Sequence, residues 1–158
     1  MKVEYINPFL SSLSNAFSTM LGVEVQRGQL HLRDGNHPVH EISGVIGLSG
    51  NAVGMVVLSF SKNVALKAAS AMLMTEATEI NGDVIDAVGE LANMVAGAAK
   101  SELDAYQLSI SLPSVITGRD HEVRFPSNVK AISIPYETPW GPMTLEVGFT
   151  PAVELASV

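Results

Sequence analysis

The segment Asp83–Ser101 (DVIDAVGELANMVAGAAKS) constrains this chain more than any other. Val84, Val88, Leu91, Ala92, Val95, Ala99 and Leu103 recur at helical spacing and make one continuous apolar face, so the segment must lie as a helix against a core. Its other face carries Asp83, Asp86, Glu90, Asn93, Gly97 and Lys100. Interior Asn competes for the backbone, and each interior Gly (Gly89, Gly97) costs about 1 kcal/mol relative to Ala. Glu90 and Asn93, three residues apart, project side by side. Glu-x-x-Asn alone reads as a solvated helix face. Framed by Asp86, Gly89, Gly97 and an alanine run, it suits a helix that presses a carboxylate and a carboxamide close to a partner's reactive group.

At 158 residues the chain is sized for a single domain, 1–158, that buries about two-thirds of its unfolded surface. Hydrophobic residues make up 47% and charged residues 16%, which argues for a filled core and against disorder. The net charge is −7 and the nine Lys and Arg are scattered singly, so nucleic acid and anionic membrane are excluded as expected partners. No cysteine is present, which removes disulfides, thiolate zinc sites and cysteine phosphatase chemistry. The N-terminal residues do not read as a signal peptide, and no apolar run approaches the roughly 20 residues of a membrane span. The expected compartment is the cytoplasm.

Around the Asp83 helix the pattern predicts a first helix from Glu4 to Leu21, stopped by Gly22, and strands over Val23–Arg33, Ile42–Leu48 and Val53–Phe60. A helix follows over Val64–Met74, capped by Ser61 or Asn63, with Met72 and Met74 expected in the core. Beyond Leu103 three more strands are predicted, Leu108–Ile116, Val129–Tyr136 and Pro142–Phe149, the last two joined by a Glu-Thr-Pro-Trp-Gly turn. Helix plus three strands therefore occurs twice, an internal pseudo-repeat. The fold class is α+β: a mainly antiparallel sheet covered on one face by two long helices and a shorter one. Ile42–Leu48 and Val129–Ile134 are apolar on both faces, a hazard if either lies at a sheet edge.

Asp86-x-x-x-Glu90-x-x-Asn93, followed by the small residues of Met94–Ala99, resembles the signature of the CheC/CheX/FliY chemotaxis phosphatases. Asn7-Pro-Phe, Ser43–Leu48, Gly54–Phe60, Glu79-Ile-Asn81 and Leu112–Ile116 extend the resemblance over nearly the whole chain, and a single signature is similar to CheX. The first helix offers Ser12 and Asn15 where a second Glu and Asn would sit, so that copy is expected to be inactive. The resemblance implies hydrolysis of the aspartyl-phosphate of a CheY-like phosphorylated response regulator. Asn93 would orient the attacking water, Glu90 would pair with the regulator's lysine, and Asp86, Gly89 and Gly97 would shape the docking face. It implies no cofactor and no metal of the chain's own, with Mg²⁺ expected in the partner receiver, and a homodimer.

Two other classes stay open on the residues alone: a non-catalytic module of the same fold that docks a phosphorylated receiver or flagellar-switch protein, and a small-ligand sensor using the gap between helices and sheet. His37 and His40 with Glu41 have no specific metal-ligand spacing and read as a solvated loop. Neither a nucleophile elbow nor a phosphate-binding glycine loop is present. Trp140, in the last turn, is expected to cap the core edge.

Overall fold

The computed structural model describes residues 3–35 and 40–152. Helix α1 (Val3–Ala16) runs into a π-helical turn (Phe17–Leu21) and stops at Gly22, whose φ of +69° a residue with a side chain rarely adopts. Two short strands, β1 (Gln26–Arg27) and β2 (His31–Leu32), precede the hairpin of β3 (Ile42–Ser49) and β4 (Ala52–Phe60). Helices α2 (Lys62–Leu73) and α3 (Gly82–Ser101) follow, then β5 (Ser109–Ile110), β6 (Ser114–Thr117) and the hairpin of β7 (Ala131–Thr138) and β8 (Gly141–Pro151).

All strand pairs are antiparallel, in the order β1-β7-β8-β4-β3-β5, with β2 also on β7 and β6 also on β3. The two copies of the repeat join along β4 and β8, centred near Val56 opposite Val147. Each copy also gives its short strands to the other: β1 and β2 border β7, while β5 and β6 border β3. The edge hazard read from Ile42–Leu48 and Val129–Ile134 is thus met within the chain, because both lie inside the sheet.

Alternation along β4 sends Ala52, Val56, Leu58 and Phe60 to one face, where Phe9, Leu13, Phe17, Val88, Leu91 and Val95 meet them at zero exposure. The predicted α+β layering holds. At α2 the sequence reading needs correction: the buried residues are Val64, Ala65, Ala68 and Ala69, while Leu73 and Met74 are exposed. Met74 ends the helix in a left-handed conformation, which turns it out of the core stripe. Ser61 occupies the N-cap position without its hydroxyl capping a backbone N–H, and the Asn63 side chain donates to the Trp140 carbonyl instead.

The sheet face away from the helices carries Ser43, Ser59, Ser133, Thr144 and Glu146, all buried. The Arg33 guanidinium closes this side. Nε donates to Glu146 Oε2 at 2.7 Å, Nη2 to the Val123 carbonyl at 2.7 Å and Nη1 to the Gly35 carbonyl at 2.9 Å, with the Phe125 ring 4.9 Å away. His121 Nδ1 donates to the Gly118 carbonyl at 2.6 Å, and its Nε2 lies within hydrogen-bond distance of Ser43 Oγ at 2.8 Å. His40, expected in a solvated loop, is half-buried with Nε2 3.3 Å from Thr144 Oγ1, and burial lowers its pKa despite Glu137 nearby. His37 lies outside the described residues.

Burial raises the pKa of Glu146, more than Arg33 lowers it. A carboxyl with a raised folded-state pKa takes up its proton in the native state first, so its contribution to stability is present at acid pH and is lost as pH rises through the folded value. Wild-type stability relative to Glu146→Gln should therefore fall as pH rises from about 4.3, the free-glutamate value, through the raised folded-state value; urea titrations across that range read it. Glu146→Ala, which leaves Arg33 buried and unpaired, should cost about 3–5 kcal/mol. An added Cβ at Gly44 would sit 2.9 Å from Ala92 Cβ, so Gly44→Ala should destabilise by about 1–3 kcal/mol in the same titration.

Candidate functional site

Asn81 starts α3: its side chain accepts from the Val84 N–H at 3.1 Å, and Asp83 sits in the first turn, where the helix dipole favours an anion. Val84, Ala87, Val88, Leu91, Ala92, Val95, Ala96 and Ala99 are buried against α1, α2 and the sheet, which fixes the roll of the helix about its axis. The remaining stripe is Asp86, Glu90, Asn93 and Gly97, at spacings of four, three and four residues. Asp86 and Glu90 are exposed, and Asn93 is half-buried. Among the described residues no side chain binds Glu90 or Asn93 by a hydrogen bond or ion pair.

Gly89 and Gly97 lie four residues before and four after Asn93, the positions that flank it along its helix ridge. With both side chains missing, no side chain of its own ridge flanks the carboxamide. The two glycines differ in what lies beside them. Gly89 is buried, and a Cβ there would lie 3.4–3.6 Å from Val115 and Pro113 of this same chain. The room it makes is taken by β6 and the residues before it. Gly97 is half-buried, with Ile110 Cδ1 3.9 Å from its Cβ position.

The segment from Ile110 to Val115 is therefore a wall beside Asn93, and the sequence reading missed it by drawing one strand over Leu108–Ile116. Pro113 cannot donate to a ladder, and pairing breaks between β5 and β6. Ser111 pins the gap: the Gly47 N–H donates to its Oγ at 2.8 Å, its own N–H donates to the Gly47 carbonyl at 2.9 Å, and its hydroxyl donates to the Leu112 carbonyl at 2.9 Å. Proline between two apolar runs was the available signal.

The second copy falls one residue away from the expected register. Ser12 is buried, and its hydroxyl reaches the Val95 carbonyl on α3 at 2.9 Å. Matching the buried residues Tyr5, Phe9, Ser12 and Leu13 to Val84, Val88, Leu91 and Ala92 puts Asn7, Ser11 and Ser14 in the places of Asp86, Glu90 and Asn93. These line an open depression of about 610 Å³ with Asn15, Arg27 and Tyr136. It holds no carboxylate.

Among the described residues no group of three or more His, Asp or Glu could hold a metal ion, and no helix is long and apolar enough to cross a membrane. Chemically, the α3 stripe offers two carboxylates, Asp86 and Glu90, and one carboxamide, Asn93, on a low surface. It can pair with a cation and orient a small molecule by hydrogen bonds.

A model of the family described as chemotaxis phosphatase CheX matches residues 42–137, which include the α3 stripe and its wall. The CheY-P phosphatase CheX of Thermotoga maritima is 32% identical over 127 residues, 78% of this chain and 82% of that protein. Among solved structures, a CheC-like superfamily protein from Shewanella sp. PV-4 superposes with a TM-score of 0.88 at 33% identity, covering 95% of this chain and 99% of that one. The chemotaxis protein CheX from Vibrio vulnificus gives 0.86 at 30% identity, covering 94% and 100%. With the family match covering residues 42–137, more than half of the chain, and a relative 32% identical over 78% of it, the chain belongs to the CheX family.

Proposed function

We propose that this protein hydrolyses the aspartyl-phosphate of a CheY-like response regulator, using Glu90 and Asn93 on α3. The observation that carries the reading is the pair itself: a free carboxylate and a carboxamide without ridge neighbours, on a helix locked by its opposite face. The family relative from Thermotoga maritima bears the name of a CheY-P phosphatase.

An acyl phosphate is already activated, so what the reaction lacks is a water held in line with the bond to be broken. The Asn93 carbonyl oxygen accepts from one O–H of that water and directs its lone pair at phosphorus. As the new P–O bond forms, the bond between phosphorus and the aspartyl oxygen breaks. The receiver recovers its carboxylate, and the water proton leaves with inorganic phosphate or solvent. An amide does this without placing a negative charge against the phosphoryl oxygens. Glu90 pairs with the receiver's active-site lysine and fixes the register of docking, with Asp86 one turn away adding to the acidic rim. Mg²⁺ belongs to the receiver, and the reaction takes place in the compartment that holds it, the cytoplasm.

The test is phosphate release from the host's CheY-type receivers in Mg²⁺, with and without this protein. Asn93→Ala should lower kcat by about 10²-fold or more while binding is retained. Glu90→Ala should instead weaken docking by about 30-fold or more, read as a rise in KM. Binding without faster phosphate loss would overturn the enzyme reading in favour of a docking module. A homodimer completes the proposal, its support being the family resemblance. Light scattering at twice the monomer mass would bear it out, and a monomer would remove that part alone.

A further inference from the structure

Among the described residues, Leu112 is a large apolar side chain left in solvent between Ile110 and Pro113, both of which pack beside glycines of α3. Ile110 meets Gly97, and Pro113 meets Gly89. Those glycines lie eight residues apart on the helix, a rise of about 12 Å. Three residues of extended chain, Ile110 to Pro113, span about 10 Å. The wall thus runs alongside the helix, and Ser111 and Leu112 pass the turn that carries Asn93.

The backbone there is not loose. Three hydrogen bonds through Ser111 tie it to β3 and to the Leu112 carbonyl, and Pro113 fixes the next φ. On this pinned backbone Leu112 is 88% exposed, while Ile110, Pro113 and Val115 around it are half-buried. An isolated exposed leucine is ordinary on a protein surface. A leucine held rigidly beside a half-buried carboxamide is different, because any macromolecule that brings a reacting atom to Asn93 must cover it.

We infer that Leu112 is the apolar anchor by which the phosphorylated receiver seats on the Glu90–Asn93 face. The choice of partner rests on the phosphatase reading above. The anchor supplies what the stripe lacks. Glu90 gives a charge contact that salt and water weaken, whereas a preformed apolar contact is insensitive to salt and loses little freedom on docking. Leu112 is a positioning residue: it sets how the receiver sits and leaves the chemistry to Asn93.

The experiment uses the full chain and the host's CheY-type receivers activated with beryllium fluoride and Mg²⁺, with affinity measured by titration and turnover by phosphate release. Leu112→Ser should weaken binding and raise KM by about 10-fold or more, leaving kcat at saturation and the melting temperature unchanged; Leu112→Met should restore binding. Wild-type affinity in Leu112→Ser would overturn the anchor while leaving the phosphatase reading intact. Weakened binding in Leu112→Ser, alongside a wild-type protein that binds without speeding phosphate loss, would uphold the anchor and overturn the phosphatase. If none of the host's receivers binds the wild-type protein, both fall.

Discussion

Gly44 presents no side chain to α3, and the helix comes down onto β3 there until Ala92 and the Val88 carbonyl fill the space a Cβ would take. Small residues continue this close approach along the helix, with Ala87, Ala92, Ala96 and Ala99 all buried. Such packing leaves the helix little freedom to roll, because side chains that are short and already in contact cannot yield. The orientation of Glu90 and Asn93 therefore follows from the fit of the opposite face to the sheet. A reaction whose only requirement is the placement of one water depends on that fit more than on any group at the surface.

The pseudo-repeat underlies both the symmetry of the scaffold and the different chemistry of its two helix stripes. β4 and β8 pair at the centre, and each half lends its short strands to the other, so neither half closes its part of the sheet alone. α1 and α3 lie in equivalent places and pack on each other, with the Ser12 hydroxyl bonded to an α3 carbonyl. Yet the α1 stripe is Asn7, Ser11 and Ser14 beside Arg27, whereas the α3 stripe is acidic. A receiver's lysine would find a partner at one helix and a like charge at the other. The two faces share a scaffold and have opposite electrostatic preferences.

Most of the fold was legible in the sequence, because long helices and hairpins with one buried face carry a period that few other arrangements satisfy. α3, β3, β4, β7 and β8 fall within a few residues of expectation. What was not legible depends on contacts between distant segments. Gly89 reads as clearance for a partner from its own helix alone; its tertiary neighbours, Pro113 and Val115, lie more than twenty residues downstream. Ser12 carries no sign that its hydroxyl reaches α3. In α1 a one-residue change of register, visible only from burial, moves the second stripe from Ser12 and Asn15 to Ser11 and Ser14. Met74 continues an apolar run, and only the left-handed turn at the end of α2 takes it out of the core.

The distribution of charge bears on why the stripe is so sparse. With a net charge of −7, the chain would repel a phosphorylated partner if its acidic residues were spread over the docking face. At the stripe they are placed along one line, Asp83, Asp86 and Glu90, which ends where Asn93 begins. Beyond it come glycine, alanine and the apolar wall. A phosphoryl group approaching Asn93 meets an uncharged amide and short side chains, while a cation a few ångströms away meets Glu90. In the proposed reaction, separating the two by a single helical step would let one surface attract the lysine side of an acyl-phosphate site without repelling the phosphate itself. A carboxylate in place of Asn93 would keep hydrogen-bonding capacity for water and lose that separation.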